Sequence, residues 1–297
     1  MSRLYFLISK IFYSLGYFPG SNRIQMKISK HLPIKFGRVI HHLGFSWMIS
    51  SRDALSMYLS SCEAFTTKLV LLQAVGLDSF ICVGANRGWY PLAVGAKNKK
   101  VRIVAFECNS CIYEELTQNI IENDNQSELY CSAIGDRVAK VDLYMPTNGN
   151  EAMSTLHPVG KQKQEAFLIE RVNLTTLDLC LVDSLPTIGR VLILMDIEGS
   201  EMMALKGAAR ILRDVSPSLI LEINHEMLDE AGTPAYDLLA YLREYNYEVY
   251  WIDERGYLVR VGKDNKLPHL ELLPPHTGAN YLFVKSDEIW VNEFIKF

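Results

Sequence analysis

Apolar residues recur at helical spacing from the start of the chain. Leu4, Leu7, Ile8, Ile11, Phe12 and Leu15 stand at i, i+3, i+4, i+7, i+8 and i+11. Tyr5, Phe6 and Tyr13 widen that face, and Gly16 with Pro19 mark its end. From residue 63 the pattern changes. Residues 63–75 predict a helix stopped by Gly76, after which short, nearly continuous apolar runs alternate with amphipathic stretches. Phe80–Val83 predicts a strand running into the turn Gly84-Ala85-Asn86-Arg87-Gly88, and Pro91–Ala96 a helix start. Val101–Phe106, Glu128–Ile134, Val191–Met195, Ser218–Ile223, Glu248–Ile252, Tyr257–Val261 and Tyr281–Val284 predict further strands. Cys111–Glu122, Glu201–Arg213 and Tyr236–Tyr245 predict helices between them, while Val141–Met145 and Val172–Leu174 read as short β segments in a polar insertion. Strands this apolar, separated by helices, mean a doubly wound, mostly parallel α/β sheet covered on both faces. The last strands lie too close for crossover helices, which predicts a C-terminal antiparallel hairpin. The expected organisation is a helical arm or cap over residues 1–62 and one α/β domain over 63–297.

Composition narrows the classes. With 297 residues, 49% of them hydrophobic, the chain can bury a large core, which excludes disordered and disulfide-stapled scaffolds. Thirty Lys+Arg against 34 Asp+Glu leave a net charge of −4, without the overall basic field of a dedicated nucleic-acid binder. Six Cys, with Cys82 and Cys131 inside apolar runs, read as buried thiols of a reducing, cytoplasmic compartment. The charge is unevenly placed. Arg3, Lys10, Arg23, Lys27, Lys30, Lys35, Arg38 and Arg52 precede the first acidic residue, Asp53. The first helix is shorter than the roughly 20 apolar residues that span a bilayer, and no cleavage signature follows it. Two readings are open: a cap packed on the domain, or an interfacial helix that makes residues 1–45 a peripheral contact with anionic lipid at the cytoplasmic face.

Ligands of doubly wound sheets bind outside the carboxyl ends of the strands, where the strand order reverses. The glycine turn after the first strand lets the backbone pass close to a ligand, and the helix start behind it offers unpaired amides. Glu107 ends the next strand, 19 residues after Gly88, where an acid can accept hydrogen bonds from both hydroxyls of a ribose. The same pair would suit a nicotinamide oxidoreductase. That fingerprint needs G-x-G-x-x-G, whereas Asn86 stands at the second glycine position and no third glycine follows. A nucleoside without pyrophosphate fits better, and S-adenosyl-L-methionine is the common one. Cys108-x-x-Cys111 reads as packing thiols, because a redox centre there would collide with the ribose and zinc would need a second pair.

Phe80-Ile-Cys-Val-Gly-Ala-Asn-Arg-Gly-Trp-Tyr90 resembles the first motif of FkbM-type S-adenosylmethionine-dependent methyltransferases. Ala105-Phe-Glu-Cys-Asn109 is similar to their second motif, and Ala133-Ile-Gly-Asp136 and Thr175-Thr-Leu-Asp178 to intermediate blocks. Met195-Asp-Ile-Glu-Gly-Ser-Glu201, Gly207-Ala208, Pro217–His225 and Ala279-Asn-Tyr-Leu-Phe283 resemble the later ones, so the likeness runs in order over residues 63–285. It implies a Rossmann-like class I methyltransferase with Val83, Gly84, Ala85, Asn86, Gly88, Glu107, Ala133, Ile134 and Asp136 around the cofactor. It also implies transfer of a methyl group to a hydroxyl, on a glycan, lipid-linked or other small-molecule acceptor. An alcohol must lose its proton as it attacks, so Asp196, Glu198, Glu222 and His225 are the candidate catalytic residues. His225 or Asp196 is the expected base, with Glu198 and Glu222 holding hydroxyls or orienting the histidine; no metal site is expected. Two positions depart from the family pattern: Cys82 replaces its usual Asp, and Leu194 its usual Lys. These leave open a third possibility, a nucleoside-binding module of the same fold without turnover.

Overall fold

The structure, a computed structural model, describes residues 2–15, 21–60, 63–147, 153–157, 167–186, 189–253, 257–262, 267 and 278–285. The first sixty residues hold more than the one helix that periodicity predicts. They comprise α1 (Ser2–Leu15), α2 (Ser21–His31), an antiparallel hairpin of β1 (Gly37–Ile40) and β2 (Ser46–Ile49), and α3 (Arg52–Ser60). α1 buries Tyr5, Ser9 and Phe12, one face at i, i+4 and i+7. The Tyr5 hydroxyl donates to the Pro33 carbonyl and accepts from the Lys35 amide. Leu43 N donates to His41 Nδ1, so His41 Nε2 carries the proton and donates to Ser9 Oγ at 2.6 Å. Burial pushes the His41 pKa down to about 2, and the ring stays neutral. Arg52 reaches the carbonyls of Ser29 and Leu32, tying α2 to α3. Trp47 meets Trp89 edge-on at 5.4 Å, and its Nε1 donates to the Ala54 carbonyl. This segment therefore shares one continuous core with the residues that follow. Among the described residues no helix is long and apolar enough to cross a membrane.

The rest alternates as expected. After α4 (Ala64–Ala74) come β3 (Ser79–Val83), α5 (Trp89–Lys97), β4 (Arg102–Glu107), α6 (Ser110–Glu122) and β5 (Glu128–Cys131). An excursion of β6 (Ala133–Ile134), β7 (Ala139–Pro146) and β8 (Phe167–Thr175) leads through α7 (Leu177–Leu181) to β9 (Val191–Met195). Then follow α8 (Glu201–Lys206), β10 (Ser218–Ile223), α9 (His225–Glu230), α10 (Ala235–Glu244), β11 (Tyr247–Ile252), β12 (Leu258–Arg260) and β13 (Ala279–Lys285). The main sheet runs β12-β11-β13-β10-β9-β3-β4-β5. Its five strands from β10 to β5 are parallel, and β13 is inserted antiparallel between β10 and β11. β11 and β12 form the expected antiparallel hairpin at the edge. The chain builds outward from β3 in one direction and returns through β9 in the other, so the crevice at their carboxyl ends is the switch point.

Three expectations are corrected. The run Glu128–Ile134 is not one strand: it breaks after Cys131, and β6 joins β8 and β7 in a separate three-stranded sheet. β5 is an edge strand, so Cys131 is exposed rather than buried. The helix expected over Glu201–Arg213 stops at Lys206 and resumes as a π-helical turn, Ile211–Val215. Asp178 explains the break, because its carboxylate takes the amides of Arg210 and Ile211 at 2.9 Å each.

Candidate active site

Gly84 and Ala85 turn the chain at the end of β3, and both amides donate to the Phe106 carbonyl (3.0 and 2.8 Å). A Cβ on Gly84, at φ 79°, would overlap the carbonyl oxygen of Asp196 at the end of β9. The glycine is therefore required by the close approach of two strand ends, before any ligand is considered. Asn86 is left-handed (φ 48°), and its amide donates to Glu107 Oε2 at 2.9 Å while Asn109 N donates to Oε1 at 2.9 Å. Each carboxylate oxygen holds one backbone amide and keeps acceptor capacity toward the crevice. Burial raises the Glu107 pKa, and these amides oppose the rise.

Arg87, in the middle of the glycine turn, is buried. It pairs with Asp53 (3.1 Å) on α3 and Glu115 (3.0 Å) on α6, and so fastens the turn to the N-terminal segment. Sequence reasoning passed over it as a loop residue; the only signal was a cation inside an otherwise apolar and glycine-rich run.

The ends of β9 and β10 bring acids together. Glu198 is left-handed (φ 50°), and Glu201 folds the intervening loop by accepting from Ile197 N and Gly199 N at 3.2 and 3.1 Å. Burial pushes the Glu201 pKa up to about 7 against those amides. Asp196 and Glu222 lie within hydrogen-bonding reach of each other. Asp196 opens to solvent through the crevice but is crowded by protein atoms, which raises its pKa, while the Glu222 hydrogen bond offsets the rise. Repulsion from Asp196, with burial behind it, holds Glu222 well above the usual carboxylate range. The hydrogen bond between them favours the charged form of Asp196 and the neutral form of Glu222, and the two acids titrate as a pair.

A fifth acid, which the local sequence pattern does not mark, stands beside these four. Glu63 precedes α4 in a left-handed conformation (φ 53°), held by Asn280 Nδ2 (2.7 Å) and the Tyr90 hydroxyl (3.3 Å). Burial and the Asp196 charge push its pKa up to about 7. Asn86 and Glu198 are both non-glycine residues with positive φ that line one crevice, the kind of strain that collects at functional sites.

Val83, Gly84, Asn86, Glu107, Ala133, Ile134, Asp196 and Glu198 line a cleft of about 120 Å³, smaller than the roughly 300–1,000 Å³ of most small-molecule sites. Phe106, Ile112, Leu143 and Leu156 give it an apolar wall, and Ser200 Oγ is buried there without a hydrogen-bond partner among the described residues. The remaining candidates lie elsewhere. Ala85 and Gly88 sit behind the turn, Gly88 as the left-handed N-cap of α5 against Leu116. Asp136 is exposed and pairs with Arg137 at 2.8 Å, so it is a turn residue outside the cleft. His225 begins α9, a helix the sequence pattern did not predict, and its buried Nδ1 lacks a partner among the described residues. Glu222 meets Asp196, and no carboxylate orients the histidine at Nδ1. Cys108 lines the cleft and Cys111 is exposed, both as free thiols, so Cys111 is not the packing residue expected. No group of three His, Cys, Asp or Glu among the described residues is arranged to hold a metal ion.

A doubly wound α/β sheet with a reversed edge thus carries a G-x-N-x-G turn and a strand-end acid at its switch point. The chain belongs to the FkbM methyltransferase family: the methyltransferase FkbM domain matches residues 83–249. No curated protein matches it. Among solved structures it is similar to the methyltransferase FkbM of Methylobacillus flagellatus KT, at 14% identity and TM-score 0.45. That likeness covers 88% of this chain and 58% of the other, so the chain spans less than two thirds of that protein. It is also similar to precorrin-6y C5,15-methyltransferase of Geobacter metallireducens GS-15 (15% identity, 74% of this chain, 87% of the other, TM-score 0.40). M. jannaschii TYW2, in complex with AdoMet, is a third (13% identity, 85% of this chain, 87% of the other, TM-score 0.42).

Proposed function

We propose that this protein is an S-adenosyl-L-methionine-dependent O-methyltransferase that methylates a hydroxyl of a sugar-containing acceptor, glycan or lipid-linked. The observation that carries the proposal is Asp196, paired with Glu222 and lining the same crevice as Glu107 and Glu198. The donor set suits the cofactor. Glu107 keeps acceptor capacity for a ribose diol, the wall of Phe106, Ile112 and Ile134 suits an aromatic base, and the Gly84–Asn86 turn borders the amino-acid end. When bound, S-adenosylmethionine supplies an electrophilic sulfonium methyl group.

The chain's own residues then have to position an alcohol and take its proton. Asp196 is the base in this reading, because it lines the cleft and the Glu222 hydrogen bond favours its charged form, whereas His225 does not line the cleft. Glu63 and Glu198 accept from neighbouring hydroxyls of the acceptor, which favours a polyhydroxylated substrate over an apolar one. Transfer of tritiated methyl from labelled cofactor to glycan and lipid extracts tests this reading. Label in alkali-stable methyl ether is the expected result; label confined to amines or to alkali-labile ester would overturn it.

The acid cluster also sets a pH dependence. Burial raises the pH at which Asp196 loses its proton, and the Glu222 hydrogen bond opposes the rise. Glu63, pushed up to about 7 by burial and then by the Asp196 charge, gives up its proton later. Glu63→Gln should therefore leave the acid limb of the kcat/KM profile in place, and a limb that moves to lower pH would mean that Glu63 is already charged when the base ionises.

A further inference from the structure

We infer that the outward face of α1, with the basic segment around it, is a docking surface for an anionic lipid bilayer. α1 packs on the protein through Tyr5, Ser9 and Phe12, and its opposite face is not polar. Leu4, Leu7 and Ile11, at i, i+3 and i+7, are 42, 54 and 44% exposed. Phe36 and Ile40, on and beside the strand that α1 packs against, are 66 and 61% exposed. A helix whose buried side is already satisfied needs no such stripe for folding, and apolar patches of this kind mark interaction sites.

Charge identifies the occupant. Eight basic residues and no acidic one precede Asp53, and Arg3, Lys10, Lys27, Lys30 and Lys35 are all exposed. A second copy of this face would bring like charges together. A bilayer containing anionic lipid offers both an apolar layer for Leu4, Leu7 and Ile11 and negative head groups for the lysines. The helix is far too short to span, so the contact lies in the interface plane.

The test is flotation of the full chain with vesicles of phosphatidylcholine alone and of phosphatidylcholine mixed with phosphatidylglycerol. Flotation with the mixed vesicles is expected, weakening as salt is raised. The exposed double variant Leu7→Glu/Ile11→Glu should bind at least about tenfold less while melting at the wild-type temperature. Lys10→Gln/Lys27→Gln/Lys30→Gln should lose binding and flatten the salt dependence. Absence of flotation with either vesicle, or equal flotation of the Glu variant, overturns the inference. So does a concentration-dependent dimer that the Glu variant abolishes, because a second copy would then be the occupant.

Discussion

Asp196→Asn is expected to lower kcat for methyl transfer by about 10²–10⁴-fold, the span over which a positioned general base contributes. The side chain keeps its shape, and the main-chain bond from Asp196 N to Val83 O (3.1 Å) is untouched, so the fold should persist. Glu222→Gln should cost less, because the glutamine amide can still donate to Asp196 and the base stays in place. His225→Ala should leave kcat within about threefold, since its ring does not line the cleft. Single-turnover rates on an acceptor whose hydroxyl is free measure all three. Full turnover by Asp196→Asn, with loss in His225→Ala, would exchange the roles of the two residues.

The second large effect concerns the departures from the family pattern. Cys82 and Leu194 are direct register partners on the parallel strands β3 and β9, both buried in the same apolar cluster. A charged pair in the pattern is thus replaced as a unit by an apolar pair, so neither change leaves a buried charge unmatched. Cys82→Asp alone should destabilise the protein by about 3–5 kcal/mol, the cost of a buried charge without its partner. It would also stand near Asp196 and Glu107, whose charges already push the Cys82 thiol upward after burial. Leu194→Lys alone should cost a similar amount, and the double variant should recover about 2 kcal/mol or more of the sum. Urea unfolding of the four proteins measures this coupling; strictly additive losses would mean that the two positions are independent.

These two positions also show why the site was legible only in part. The apolar runs of β3, β4, β9 and β10 are buried on both faces, so hydrophobicity alone marks them, and with them the strand ends that carry Glu107, Asp196 and Glu222. What local pattern cannot carry is pairing over long separations. Glu63 meets Asn280 across 217 residues, and Arg87 meets Asp53 across 34, so neither looks functional in its own stretch of chain. The hairpin of β1 and β2 was missed because its strands are four residues long, and β7 and β8 were underestimated because exposed residues such as Leu168 and Ile169 break the expected alternation. Asp136 was over-read for the opposite reason: it shares a block with Ala133 and Ile134, which do face the cleft, but the chain has already turned outward.

Glu107 is expected to hold the ribose of a sulfur-bearing nucleoside at the mouth of β3 and β4. Calorimetric titration of S-adenosylhomocysteine into the wild type and into Glu107→Ala measures it directly. The wild type should bind, and the variant should bind at least about 100-fold more weakly, as expected for losing two hydrogen bonds to a charged acceptor. Equal affinities in the two proteins, or no binding by a folded wild type, would contradict the account.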